Sequence, residues 1–146
     1  MICPKLIIKN KFMFKNIKGY EGLYQVSDKG QVLSLEKKRG HRIYPRKILT
    51  IITDETGYSK VSLFKNGKTK RCLIHRLVAQ AFLKNNNNYP QVNHKDGNKA
   101  NNTIENLEYC TASENMKHAV KMGLNKGRNK VIHRQHLTTD EIRDII

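Results

Sequence analysis

Apolar and polar residues alternate in short runs through the first half of the chain, and turn-forming residues separate the runs. Leu23-Tyr24-Gln25-Val26 and Gln31-Val32-Leu33-Ser34 are β-type stretches of this kind. Between them Ser27-Asp28-Lys29-Gly30 carries turn chemistry, with Gly30 free to take a positive φ. The pattern predicts a β-hairpin within Phe14 to Leu35. Ile48 to Thr53, Tyr58 to Phe64 and Thr69 to Ile74 also read as strands, with Ile51, Val61 and Leu63 at half-buried positions. Turns fall at Asp54-Glu55-Thr56-Gly57 and at Lys65-Asn66-Gly67-Lys68, whose Asn-Gly pair is a strong hairpin signal.

The period changes after that. From Arg76 to Leu83 a helix is expected, because Leu77, Val78, Ala81 and Phe82 fall on one face. Asn85 to Asn88 form a short low-complexity loop closed by Pro90. Val92-Asn93-His94 then ends an apolar step on a histidine, a polar loop follows, and Leu107-Glu108-Tyr109-Cys110 is a second short strand. Thr111-Ala112-Ser113-Glu114 has capping-box spacing, so a helix begins there and runs to about Gly123. Asn115 lies in its first turn, with His118 and Ala119 on the same face. Leu137 to Ile146 opens another helix that has no later partner in this sequence. The expected class is α+β, with small antiparallel sheets and no parallel sheet.

Charge adds a partner to this outline. The chain has 146 residues with 28 Lys and Arg against 12 Asp and Glu, a net charge of +16. Hydrophobic content of 38% and a mean hydropathy of −0.67 imply a limited core. Such a surface is expected to meet a polyanion, since each cation docked on a phosphate releases counterions. Lys37, Lys38, Arg39, Arg42, Arg46 and Lys47 crowd around His41 and Tyr44 in a run that reads as a solvated loop touching phosphates. Arg76, Lys95 and His118 join them as expected DNA contacts. No run is long and apolar enough for a membrane span, and Lys5, Lys9 and Lys11 break the leader in a way unlike a secretory signal. Three widely spaced cysteines fit a reducing compartment, so an intracellular monomer is the expectation.

Residues Val92 to His118 carry the candidate chemistry. Phosphodiester hydrolysis needs a base to activate water, a Lewis acid and rigid placement of both. His94, expected to be exposed, is the candidate base. Asn93 and Asn115 offer carbonyl oxygens acceptable to a hard divalent ion, while Asn101 and Asn102 read as turn or cap residues. Asn106 is placed to pin the loop carrying His94, and Asp96-Gly97 reads as a tight loop rather than a ligand. His75 reads as a residue that caps or orients the helix after it. A weaker alternative is a zinc site from Cys72, His75, Cys110 and His118.

These residues resemble a known family. Phe14 to Leu35 is similar to the DNA-binding module that often precedes HNH nucleases, with the pattern Trp-Lys-x-Ile-x-Gly-Tyr-x-Gly-x-Tyr-x-Val-Ser-x-x-Gly-x-Val-x-Ser, from which Phe14 departs. His75 to His118 resembles the HNH core of phage-type homing endonucleases, a ββα-metal fold. The resemblance implies a DNA-binding module over residues 13–55 and a nuclease core over 58–123. Beyond them lies a basic tail, 124–146, holding the start of a helix-turn-helix. It also implies a metal-dependent DNA endonuclease acting on double-stranded DNA with Mg²⁺, or Mn²⁺ in its place. His94 matches the general base and Asn106 the middle Asn that holds its loop. Asn115 and Asn93 match metal positions, the latter an amide where close relatives often carry Asp. A DNA-binding protein with weakened catalysis is the alternative it leaves.

Overall fold

The computed structural model describes residues 12–124. The leader and the expected helix at Leu137 to Ile146 lie outside the described residues. Strands β1 (Phe14–Asn16), β2 (Tyr24–Ser27) and β3 (Val32–Ser34) are followed by β4 (Lys37–Arg39), β5 (Arg42–Tyr44) and β6 (Lys47–Ile48). Next come β7 (Ile52–Thr53), β8 (Ser59–Lys65), β9 (Lys68–Leu73) and helix α1 (Ile74–Phe82). Strand β10 (Gln91–His94), a 3-10 turn (Ile104–Asn106), β11 (Leu107–Cys110) and helix α2 (Ala112–Lys121) complete the fold. The class is α+β, and every strand pair is antiparallel.

The hairpins form where turn chemistry allows them. Gly30 has φ +83 in the β2–β3 connection, and Asn66 and Gly67, at φ 52 and 77, both take the left-handed conformation that a tight β8–β9 turn demands. The β8 side chains alternate, Ser59, Val61 and Leu63 pointing into the core.

Three expectations need correction. Lys37 to Lys47 is not a loop: Lys37 to Tyr44 is a hairpin, with Lys37 opposite Tyr44 and Arg39 opposite Arg42 around Gly40 at φ +58, and Lys47 pairs with Ser34 of β3. Its charges had masked the strands. Part of their support comes from outside, since Lys37 Nζ lies 3.8 Å from the Tyr24 ring centre and the Arg39 guanidinium 5.0 Å from that of Phe64. Ile51 is in no strand and is exposed, because only Ile52 and Thr53 find a partner in β8. Helix α1 starts at Ile74, two residues early, so that Ile74 can enter the core.

One cluster makes the core. Ile17, just after β1, and Tyr24, Val26 and Val32 from β2 and β3 pack with Val61, Leu63, Ile74, Leu77, Val78 and Leu107. Each such side chain, fully buried, contributes about 1.5–3 kcal/mol. The Tyr24 hydroxyl reaches β8, donating to the Phe64 carbonyl and accepting from its N–H, both at 3.2 Å. On the other side the Asp28 carbonyl accepts the Ile104 N–H at 2.8 Å. The first hairpin is thereby tied to the segment that leads into β11.

Candidate active site

Strands β10 and β11 pair so that His94 stands opposite Leu107 and Asn93 opposite Glu108. Helix α2 follows at once. The Thr111 hydroxyl accepts the Glu114 N–H while the Glu114 carboxylate accepts the Thr111 N–H, closing the capping box. This fixed start sets Asn115 at the mouth between helix and hairpin. A cavity of about 580 Å³ opens there, with Asn93, His94, Lys99, Asn115 and His118 in its lining.

His94 is not exposed as expected; it is 5% accessible. Its ring meets His75 edge-on, with centres 5.0 Å apart, and lies 6.2 Å from that of Tyr58. Its Nε2 is 3.2 Å from Asn102 Oδ1. Asn102 Nδ2 donates to the Ala100 carbonyl at 3.1 Å, which leaves Oδ1 as the atom turned to the ring. An amide oxygen only accepts, so the partner set assigns the proton of neutral His94 to Nε2 and leaves Nδ1 as the basic nitrogen. Burial lowers the His94 pKa from its usual 6.5; the Asn102 bond and Asp96 oppose this, and Lys99 adds to it. Burial thus favours the neutral ring.

Asn106 closes the loop behind His94. Its Oδ1 accepts the Asp96 N–H at 3.0 Å, and its Nδ2 donates to Asp96 Oδ1 and to the Asn101 carbonyl, both at 2.9 Å. Its own carbonyl accepts the Lys95 N–H at 2.8 Å. Asp96 also accepts from Asn101 Nδ2 and the Asn98 N–H, which together hold its carboxyl below the usual range. All its ties are to the loop.

Asn93 and Asn115, the amides expected at metal positions, both line the cavity. Asn93 Nδ2 donates to Glu108 Oε1 at 2.9 Å, and Asn115 Nδ2 to Gln91 Oε1 at 2.6 Å. Two family patterns match this chain: the NUMOD4 motif over residues 14–64 and HNH endonuclease over residues 72–117, the latter spanning His94, Asn106 and Asn115. Residues 72–117 thus resemble the HNH endonucleases. It is 40% identical over 112 residues to the DNA endonuclease I-HmuI of Bacillus phage SP01, covering 75% of this chain and 59% of that one. It is 45% identical over 98 residues to the uncharacterized HNH endonuclease L245 of Acanthamoeba polyphaga mimivirus, covering 67% of this chain and 27% of that one. A solved structure described as "DNA binding and cleavage by the HNH homing endonuclease I-HmuI" superposes with a TM-score of 0.64 at 41% identity, over 76% of this chain and 59% of that chain. The chain thus spans about six tenths of I-HmuI's length.

The remaining candidate residues are dispersed. Lys38, Arg39, Arg42, Arg46 and Lys47 are exposed on the β4–β5 hairpin and the segment after it, with Lys37 half-buried. Arg76 is exposed on α1, and Lys95 Nζ donates to the Glu105 carbonyl at 3.1 Å. His118 Nε2 is 3.0 Å from the Lys95 carbonyl, on the cavity wall. Cys72, His75, Cys110 and His118 do not come together, and the described residues hold no group of three or more His, Cys, Asp or Glu placed for a metal. His75 does not cap α1: it is buried, and its Nδ1 has no hydrogen-bond partner among the described residues. No helix among the described residues is long and apolar enough to cross a membrane.

Sequence reasoning missed two residues. Asn102, expected to be only a turn or cap residue, is the partner of His94. Lys99 donates to the Thr56 carbonyl at 2.9 Å, sits 4.5 Å from the Tyr58 ring centre and lines the cavity. For Asn102 the only signal was its eight-residue spacing from His94 within the same loop.

Proposed function

We propose that the chain is a metal-dependent endonuclease of homing type that hydrolyses phosphodiester bonds in double-stranded DNA. The observation that carries this reading is His94, buried, with Nε2 held by Asn102 in the cavity that Asn93 and Asn115 line. His94 Nδ1 takes a proton from water as the water attacks phosphorus, and burial favours the neutral base that this needs. Asn106 keeps loop and ring in register during the attack.

The donor set fits a hard divalent ion such as Mg²⁺ or Mn²⁺: two amide carbonyl oxygens, with a carboxylate on Glu108 behind one of them. Asn93 and Asn115 would hold the ion, together with a phosphate oxygen, and it would neutralise charge on the departing 3′ oxygen. Products then carry 5′-phosphate and 3′-hydroxyl ends. The basic hairpin, Arg76, Lys95 and His118 hold the duplex against the cavity.

The experiment is nicking of supercoiled DNA by the purified chain with Mg²⁺ or Mn²⁺, beside His94→Ala and an EDTA control. Metal-dependent nicking, lost in His94→Ala while DNA binding persists, is the expected result. Equal loss of binding and cleavage would give His94 a folding or docking role instead. The amide at Asn93 favours a second reading, a DNA-binding protein with weakened catalysis. Tight binding without cleavage under either metal would select it.

A further inference from the structure

The contact between Asn93 and Glu108 has a direction that chemistry alone dictates. A carboxylate accepts hydrogen bonds and donates none. The Asn93 atom 2.9 Å from Glu108 Oε1 must therefore be Nδ2, and Oδ1 is the atom left for the cavity. A free amide could turn over and offer a cation its N–H groups, which repel it. The neighbouring pair of Asn115 and Gln91 lacks this constraint, because two amides can exchange donor and acceptor roles.

Glu108 also brings charge. It stands directly across the β10–β11 ladder from Asn93, which is 7% exposed, so its field acts where water screens poorly. A partner that holds and polarises a ligand in this way raises its strength as a donor. Resting on the metal reading above, we propose that Glu108 is a positioning residue of the cation site. It fixes Asn93 with Oδ1 toward the cavity and supplies from β11 the negative charge that a carboxylate at position 93 would bring directly. Asn93 and Glu108 form one unit, an amide ligand backed by an anion.

The unit can be turned around. In Glu108→Gln the side chain at 108 can donate as well as accept, so Asn93 loses its fixed orientation and the site loses its charge. In the double exchange, Asn93→Asp with Glu108→Gln, the new amide donates to the new carboxylate, whose second oxygen faces the cavity. The probe is Mn²⁺ binding to the full chain followed by electron paramagnetic resonance, with duplex binding in EDTA and thermal melting recorded for each variant. Glu108→Gln is expected to weaken Mn²⁺ binding about tenfold, with DNA binding in EDTA unchanged, and the double exchange to restore it. Equal Mn²⁺ affinity in Glu108→Gln and the unaltered chain would overturn the role of Glu108 and leave the metal reading intact. A loss that the double exchange fails to restore would also overturn it. Absence of Mn²⁺ binding by the unaltered chain would remove the metal reading and this inference together.

Discussion

Gly30 stands directly against Asn102. A Cβ on Gly30 would lie 3.0 Å from Asn102 Cβ and 3.1 Å from Ile74 Cγ2, and the backbone there has φ +83. The turn of the first hairpin is thus the back wall of the residue that holds His94. A contact between residues 72 positions apart links the front of the chain to the partner of His94 Nε2.

Gly30→Ala should therefore act at both ends of this contact. Positive φ and two crowded neighbours together cost about 2–4 kcal/mol. Urea denaturation measures that loss. The His94 ring resonances should shift as Asn102 is displaced, and unchanged resonances would show that the loop yields without moving Asn102.

The pH profile of cleavage should carry the mark of burial. As the proposed base, His94 acts in its neutral form, and burial lowers its pKa from 6.5, so the midpoint of the acidic limb should lie below that pH. Asn102→Asp places an anion beside the ring, favours the imidazolium and should move the acidic limb upward. Asn102→Ala removes the hold on the tautomer and should lower kcat by roughly a hundredfold. Single-turnover rates from pH 5 to 8 separate the three proteins.

Acid should weaken the fold through His75. It is 4% exposed, and burial first, then the neighbouring His94 and Arg76, lower its pKa from 6.5 to about 4. Below pH 6.5 the unfolded chain takes up a proton that the folded chain refuses. Stability is complete above that pH and falls as the pH drops toward 4, by roughly 3 kcal/mol in all. His94 contributes in the same sense. His75→Phe should flatten this part of the curve in urea titrations at stepped pH.

DNA affinity should depend on salt through the β4–β5 hairpin. Replacing Lys38, Arg42, Arg46 and Lys47 by Gln should reduce the slope of log K against log salt by up to about 3.6. Lys37 and Arg39 are left in place because their cations rest on Tyr24 and Phe64 and their loss would also disturb packing. An unchanged slope would place the duplex elsewhere.

What could be read from the sequence was local. Thr111 with Glu114, Asn66 with Gly67, and Gly30 each announce a cap or turn within four residues, and each forms as expected. The hairpin at Lys37 to Tyr44 was hidden because rings from β2 and β8 help to hold it, and no pattern within the run records them. The burial of His94 was hidden likewise, since His75 and Tyr58 cover it from other elements. Asn102 differs from its neighbour Asn101 only by what the folded loop brings near it.

The two family patterns meet inside a hairpin. NUMOD4 ends at residue 64 and the HNH match begins at 72, whereas β8 and β9 pair from Lys60 with Leu73 to Lys65 with Lys68. Ile17, Tyr24, Val26 and Val32 also share their core with Ile74, Leu77 and Leu107. The two segments are therefore not interchangeable cassettes. A chimera joined at the pattern boundary would pair one parent's β8 with the other's β9 and set foreign side chains behind Asn102. Under the proposed function, retargeting by recombination would do better to keep residues 14–117 as one piece and vary the exposed face of the basic hairpin.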